Sequence, residues 1–555
     1  MSELNSEFKS YLKQLFTEKN FSKLEFELDN LGEIKDLPEN IIYLYAISKT
    51  LNLNSKTEDY KIALGLLITI FEKNKKNLEV LYNLILVSLK AKSYFKIKKF
   101  LEDNLKENSD DDKVLEGLAK INYILGNVDE SVNYYKKLFE LNPQRITSRV
   151  SFLATLNYAT NITQENYFEE CKKHSELLEN NSQKNKEFEI SKKKINIGFF
   201  SSDLRKHSVS YFLKGLITNI DKNQFEISAF SNLEKSNQDK MSFELKTLFD
   251  NWYDVYEYSD NDLVKFIKEK KIGILIDLNG FTHGNRNNIF VQRSAPIQVL
   301  WCGYCNTTGL KNMDFIITDK NCIKKGEEHL YSEKIIYLPK IWNALSKPKN
   351  LPNLSALPCK NEKIFTFGSF NNFQKITDKT IDVWSKILVQ TDSRIYLKNS
   401  VIDSEEINFN LKEKFLKRGV KDNQIIILKF QKDENDHLSN YNKIDLALDP
   451  FPYNGVTTTF EAIIMGVPVL TLKGFNFNSR CGESININLN LEKFIANDFD
   501  EYINKAINFT KDEKYLSELR EGIRTQALSS YLFKTQDFTE VFSQKMKDIW
   551  TNFLS

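Results

Sequence analysis

The chain has no apolar run approaching the roughly 20 residues of a membrane span. Its first residues, MSELNSEFKSYLKQLF, lack the apolar core of a secretory signal, so a cytoplasmic protein is expected. An excess of charge of either sign is also missing. Lys plus Arg total 77 and Asp plus Glu 75, which leaves no electrostatic footprint for nucleic acid or an anionic membrane. Cysteine is sparse, with six residues at 171, 302, 305, 322, 359 and 481. Only Cys302 and Cys305 form a C-x-x-C, and no second pair or histidine cluster completes four zinc ligands. Reduced thiols are therefore expected, and no metal site. Two nucleotide signatures are absent as well: there is no G-x-G-x-x-G and no G-x-x-x-x-G-K-[ST] loop. Dehydrogenase and ATPase readings thus lack their key feature. Nor is there a convincing D-x-D to hold a metal-bound diphosphate. The run Asp110 to Asp112 reads as a solvated helix start.

What is present is length with ordinary apolar content. A chain of 555 residues, 41% of them hydrophobic, holds two to four globular domains and no long disordered tract. Glycine and proline are rare up to about residue 185, and apolar residues there recur at helical spacing. The clearest unit runs from Lys113 to Pro143, KVLEGLAKINYILGNVDESVNYYKKLFELNP. Its Leu118, Tyr123, Gly126, Tyr134 and Phe139 fall near the positions of a tetratricopeptide repeat, whose period is about 34 residues. Gly126 permits the turn between paired helices and Pro143 stops the second. Weaker copies precede it, giving about three in all, near the minimum for a stable stack.

A charged segment, NNSQKNKEFEISKKK, marks a linker at 180–194. Beyond it, β-rich runs such as INIGFF, FEISAF, ILIDLNG and FIITD alternate with amphipathic helices. A loop-rich break at 346–362 separates this set from a second one, IFTFGSF, RIYLKN, DLALDPF and VPVLTLKG. Alternation of this kind implies parallel sheets, here in two Rossmann-like lobes facing a cleft. The expected domains are 1–144, helical repeats; 145–194, a helical bridge and linker; 195–345, a first α/β lobe; and 362–555, a second α/β lobe with C-terminal helices.

In open α/β sheets, ligands bind beyond the carboxyl ends of the strands. Four loops there carry chemistry: SSDLRKHSVS with His207, NGFTHGNR, GSFNNFQKITD with Lys375, and PFPYNGVTTTFEA. In the last, Gly455 precedes a helix opened by threonines. Free backbone N–H groups and the helix dipole make such a terminus a phosphate site, and Thr457 and Thr458 can add hydroxyl donors. Glu461, one turn further in, can accept hydrogen bonds from a ribose. A plain threonine N-cap is the alternative, and Lys375 alone is one of many surface lysines. Two such loops converging on one lobe favour phosphate, in a site that needs no metal.

The blocks INIGFFSSDLRKHSVSYFL, ILIDLNGFTHGNR, RSAPIQVLWCGYCNTTG, MDFIITD, YSEKIIYLP, GSFNNFQKI and DLALDPFPYNGVTTTFEAIIMGVPV occur in this order. They resemble the successive motifs of the SPINDLY-like bacterial branch of the protein O-linked N-acetylglucosamine transferase family. The likeness covers about residues 145–550, with repeats upstream as in that family. It implies an α-helical tetratricopeptide repeat array followed by an α/β catalytic region of the GT-B fold. It further implies an inverting, metal-independent, cofactor-free transfer of N-acetylglucosamine from UDP-N-acetylglucosamine to Ser or Thr of protein acceptors held by the repeats. A GDP-sugar donor, a glycan acceptor or a non-catalytic scaffold are the alternatives.

By the same resemblance, Lys375 sits on the diphosphate and stabilises the leaving group. Thr457 and Thr458 bind the phosphates, Glu461 meets the ribose, and His437 in ENDHLSNYNKIDLAL lies near the nucleotide. Asn372 and Gly455 complete the donor-binding set. His207, on the first lobe, is either a general base or a positioning group. The chain departs from the family pattern at Gly273, Phe281 and Val456, where relatives carry histidine, while a histidine stands at His283. His174 lies on a polar helix and is expected to face solvent, and His329 has no visible role.

Overall fold

A computed structural model describes residues 6–31, 34, 37–179, 188–189, 193–348, 350–398, 404–431 and 433–555. The expected linker at 180–194 falls largely outside them. The chain forms two compact units, one of Met1–Pro143 with Ser404–Leu411, the other of Gln144–Asp403 with Lys412–Ser555. No helix among the described residues is long and apolar enough to cross a membrane.

The first unit is built from antiparallel helix pairs. These are Ser6–Thr17 with Phe21–Asp29, Glu39–Leu51 with Thr57–Lys73, Leu78–Ala91 with Phe95–Glu107, and Asp112–Ile124 with Val128–Leu141. Four pairs thus stand among the described residues where the sequence showed about three copies. The additional pair is the first, whose helices of 12 and 9 residues display few periodic positions. Gly126 ends its helix in the left-handed region at φ 75°, the turn that glycine makes without strain. Asp111 is the N-cap of the Asp112–Ile124 helix and accepts from the N–H groups of Lys113 and Val114. It is also buried under Tyr82, whose hydroxyl donates to it at 2.8 Å, so this carboxylate is a packed cap and not a solvated one.

The second unit contains two parallel sheets. The first has β1 (Ile195–Ser201), β2 (Phe225–Ser231), β3 (Asn251–Asp254), β4 (Ile274–Asp277), β5 (Ile297–Leu300), β6 (Phe315–Asp319) and β7 (Lys334–Leu338), in the order β3-β2-β1-β4-β5-β6-β7. The second has β8 (Thr366–Ser369), β9 (Arg394–Leu397), β10 (Ile425–Ile427), β11 (Leu446–Leu448), β12 (Val469–Leu472) and β13 (Ile495–Ala496), in the order β10-β9-β8-β11-β12-β13. Strands such as ILID and LAL are buried at every position, as expected of parallel strands covered by helices on both faces. Strand order reverses between β1 and β4 and again between β8 and β11, which are paired in parallel. Each reversal opens a crevice at the carboxyl ends of the central strands, the place where such sheets take ligands.

The C-terminal helices do not all belong to the second lobe, where the sequence boundaries put them. Phe538, Phe542, Met546 and Trp550 of the Thr535–Leu554 helix join the core of the first sheet, beside Ile197, Ile274 and Val299. A Cβ added to Gly273 would lie 2.7 Å from the Trp550 ring. Amphipathic spacing shows that this helix buries a face but not which sheet receives it.

The bridge helices Arg149–Leu156 and Gln164–Glu179 are tied to both lobes. Asn157 donates to the Tyr304 hydroxyl at 2.7 Å and accepts from Asn306 and Asn478. Gln164 donates to Asn306 at 2.8 Å and accepts from Asn476 at 3.0 Å. His174, expected at the surface, is buried instead. Tyr167, Cys171, His174 and Leu178 form an inward stripe, while Glu169, Lys172 and Lys173 on the outer face give the helix its polar composition. Burial pushes the His174 imidazole down to about 4, so it sits neutral against the edge of Phe281.

Candidate active site

At the second lobe's switch point, the loop after β11 turns on Asp449. This buried carboxylate accepts from the Gly455 N–H at 2.6 Å and from the Thr471 hydroxyl at 2.8 Å. Across from it, Lys375 ends the loop after β8. Its ammonium donates to the Asn454 carbonyl at 2.7 Å and lies 4.3 Å from the centre of the Tyr453 ring, which stacks on Tyr158. Burial lowers the Lys375 pKa to about 8, opposed by the negative charge of Asp449. Burial likewise raises Asp449 to about 7, opposed by its hydrogen bonds and by Lys375.

Gly455 is required by space. A Cβ there would stand 2.5 Å from the Thr458 hydroxyl and 2.8 Å from the Asn371 side-chain oxygen. The helix that follows, Thr457–Ile464, resolves the alternative of a threonine cap. Its N-cap is Val456, with no side-chain cap, and the N–H groups of Thr457 and Thr458 meet no acceptor among the described residues. The Thr458 hydroxyl donates to Asn371 at 2.9 Å, and that of Thr459 turns back to the Gly455 carbonyl. Two buried side-chain acceptors nearby, Asn372 Oδ1 and Gln374 Oε1, also lack a partner among the described residues. Uncapped N–H groups, a buried ammonium and unmatched amide oxygens together make a polar site built for an anion with hydroxyl or N–H groups attached.

Beside it lies a chain of four polar side chains. Glu461 Oε2 accepts from His437 Nε2 at 3.0 Å and from the Tyr441 hydroxyl at 3.2 Å. His437 Nδ1 lies 2.6 Å from the Lys398 ammonium. An ionised carboxylate only accepts and an ammonium only donates. The contacts are therefore consistent with a neutral imidazole carrying its proton on Nε2. Sequence reading named His437 and Glu461 but missed Lys398 and Gln374. Lys398 had a usable signal, because it follows the apolar run RIYL directly and so stands at the carboxyl end of β9, next to β8. Its pKa is lowered to about 8 by burial, opposed chiefly by Glu461.

On the first lobe, His207 is the N-cap of the Ser208–Asn219 helix. Its Nδ1 accepts from the Val209 N–H at 3.4 Å, with Asp203 at 3.8 Å. Burial lowers its pKa, partly offset by Asp203. The neighbouring loop is bound to itself: Ser202 N–H donates to Asn279 Oδ1, Asn279 Nδ2 to Ser202 Oγ, and Ser202 Oγ to the His283 carbonyl at 2.7 Å. His283 thus contributes its backbone to the loop, and its side chain is exposed. Phe281 is a core residue between His174 and Tyr304. Gly273 precedes β4, at the opposite end of the strand from the crevice, so its departure from the family pattern does not touch the site. Phe212 packs edge-on against Phe460, which brings the N-terminal halves of the His207 and Thr457 helices together.

The model of glycosyl transferase family 41 matches residues 156–356 and 356–542. The chain belongs to that family. The matched stretch spans both lobes and all eight residues His207, Asn372, Lys375, His437, Gly455, Thr457, Thr458 and Glu461. A probable UDP-N-acetylglucosamine–peptide N-acetylglucosaminyltransferase SPINDLY of Hordeum vulgare is 30% identical over 364 residues, 65% of this chain and 39% of that protein. The UDP-N-acetylglucosamine–peptide N-acetylglucosaminyltransferase of Caenorhabditis elegans is 21% identical over 478 residues, 65% of this chain and 41% of that one. The chain thus spans about two-fifths of the length of these relatives. A lysine-to-methionine variant of the Thermobaculum terrenum O-GlcNAc transferase superposes with a TM-score of 0.81, at 24% identity, over 93% of this chain and 98% of that one. The fold is GT-B, preceded by helical repeats.

Proposed function

We propose that this family 41 member is an inverting, metal-independent transferase that moves N-acetylglucosamine from UDP-N-acetylglucosamine to Ser or Thr of protein acceptors. The observation that carries the reading is the pairing of Lys375 with the uncapped helix start at Thr457 and Thr458. A hydroxyl attacks the anomeric carbon only if the charge growing on the departing diphosphate is met. Fixed donors in a water-poor site supply that stabilisation without reorganisation. Lys375 leaves the Asn454 carbonyl to meet the diphosphate, and the backbone N–H groups of Thr457 and Thr458 hold the phosphates. Glu461 offers an acceptor to the ribose, oriented by His437 and Tyr441. Asn372 adds a buried acceptor to the donor site. The relatives' names supply the donor and the peptide acceptor.

His207 is read as a positioning group. Its Nδ1 is occupied by the Val209 N–H, so the neutral ring carries its proton on Nε2 and presents a donor there, not a base. The repeats are read as the surface that selects the protein acceptor, since stacked helix pairs form an extended binding face.

The deciding experiment offers the purified protein a panel of UDP- and GDP-sugars and measures release of UDP or GDP. UDP release from UDP-N-acetylglucosamine alone supports the reading, whereas GDP release from a GDP-sugar alone replaces the donor. Activity should survive dialysis against EDTA. Loss restored by Mn²⁺ or Mg²⁺ would overturn metal independence. A chain starting near residue 145 should still hydrolyse the donor slowly and lose most transfer to protein. Full transfer by that chain would remove the repeats from acceptor selection.

A further inference from the structure

The peptide between Asn454 and Gly455 has both of its polar ends engaged. Its carbonyl takes the Lys375 ammonium at 2.7 Å, and its N–H goes to Asp449 Oδ1 at 2.6 Å. One peptide plane thus stands between a buried cation and a buried anion, each polarising it in the same sense. The plane itself is fixed. The Asn454 side chain donates to the Pro450 carbonyl and accepts from the Gly482 N–H, and its own N–H reaches the Asn478 carbonyl. Asp449 has no slack either. Its second oxygen takes the Thr471 hydroxyl, and a Cβ on Gly482 would come within 2.5 Å of that oxygen. Around Lys375 the other titratable neighbours are the Tyr453 phenol, held neutral by burial, and the Cys305 and Cys481 thiols. Both thiols are held neutral, Cys305 by its contact with Cys481 and by burial, Cys481 by burial. Asp449 is then the one carboxylate facing Lys375 among the described residues.

We propose that Asp449 is a positioning residue for Lys375: through the Asn454–Gly455 peptide it sets where the ammonium waits, and its charge keeps that ammonium protonated in a buried site. It touches no reacting atom. The inference rests on the reading of Lys375 as the group that meets the leaving diphosphate. A lysine can do that only while protonated, so activity is lost as pH rises through its pKa. In the free enzyme that pKa is about 8, and kcat/KM reports the free enzyme. The bound diphosphate is itself anionic and moves the limb of kcat to higher pH.

The test is the pH dependence of kcat/KM for UDP-N-acetylglucosamine between pH 6 and 10, with UDP affinity measured by calorimetry as a check on the folded donor site. Asp449→Asn keeps an oxygen for the Gly455 N–H and removes the charge. Asp449→Ser removes the same charge with a smaller side chain, should the amide variant not fold. An opposite charge of this kind is worth about one to three pH units, so the basic limb should move down by about one unit or more. kcat/KM at pH 8 should then fall about fivefold or more, with a smaller loss at pH 6.5. Lower turnover with the limb unmoved in both variants would make Asp449 merely structural and overturn the inference. Lys375→Met separates the two readings. If that variant is inactive while the Asp449 limb stays put, Lys375 keeps its role and only the inference falls. If it turns over like the wild type, the leaving-group reading fails and takes the inference with it.

Discussion

The two α/β lobes share a strand order and differ in how they treat their switch points. In the first lobe, several polar groups at the crevice bind one another, while Arg205 Nε and Ser231 Oγ have no partner among the described residues. Ser202, Asn279 and the His283 carbonyl close a ring of hydrogen bonds, and the His207 ring caps its own helix. In the second lobe, the corresponding helix starts without a cap, a partly buried lysine lies over a tyrosine ring, and Asn372 and Gln374 keep unmatched oxygens. Groups that satisfy one another can shape and orient a crevice but are not themselves left to bind a charge. An unsatisfied one stores binding capacity, because each buried polar group without a partner costs about 1–3 kcal/mol until a ligand supplies one. On the proposed reading, this asymmetry gives the charged half of the chemistry to the second lobe.

The comparison breaks most visibly at Lys375. Lys375→Ala should lower kcat by on the order of 10²–10³-fold, the usual loss for one electrostatic donor at a transition state. Near-normal turnover with unchanged UDP affinity would show that the second lobe does not carry the charge. Gly455→Ala comes next. Its methyl group meets the Thr458 hydroxyl and Asn371 at overlapping distance, an overpacking worth about 1–3 kcal/mol, so UDP affinity should weaken about 5- to 150-fold. An alanine variant with native affinity would mean the loop is softer than its contacts indicate.

On the first lobe, His207→Ala should reduce transfer to acceptor about 10- to 100-fold, a loss weaker than or at the low edge of the about 10²–10⁴-fold that a general base supplies. UDP affinity should stay within about twofold. An equal loss of donor affinity would make His207 a nucleotide contact and erase the division of labour. The smallest effect is expected at Thr458→Val. Removing one hydroxyl hydrogen bond costs about 0.5–1.5 kcal/mol, or roughly 2- to 12-fold in UDP affinity by calorimetry. No change would leave the phosphates to the backbone N–H groups alone.

Much of this site could be read from the chain because its residues sit in short, punctuated loops. Strand, then Gly455, then Thr457 and Thr458 is a local pattern, and local geometry makes the uncapped helix start proposed to hold the phosphates. The four strand-end loops named from sequence are those that follow β1, β4, β8 and β11, the strands flanking the two switch points. Lys398 and Gln374 were missed because each looks ordinary among its neighbours and gains meaning only from what faces it. His174 was misjudged because composition averages over a helix, and burial follows one stripe of it.

By itself the sequence determined the classes of element, their order, and the groups with chemistry to offer, since periodicity, turn residues and loop motifs are encoded over a few residues. Tertiary structure alone decided which of those groups meet. That Asp449 and Lys375 share one peptide, that Trp550 closes the first lobe over Gly273, and that His437 stands between Lys398 and Glu461 all join positions far apart in the chain. Such contacts depend on how parallel strands order themselves in a sheet, and a crossover connection leaves that order open until the sheets have packed.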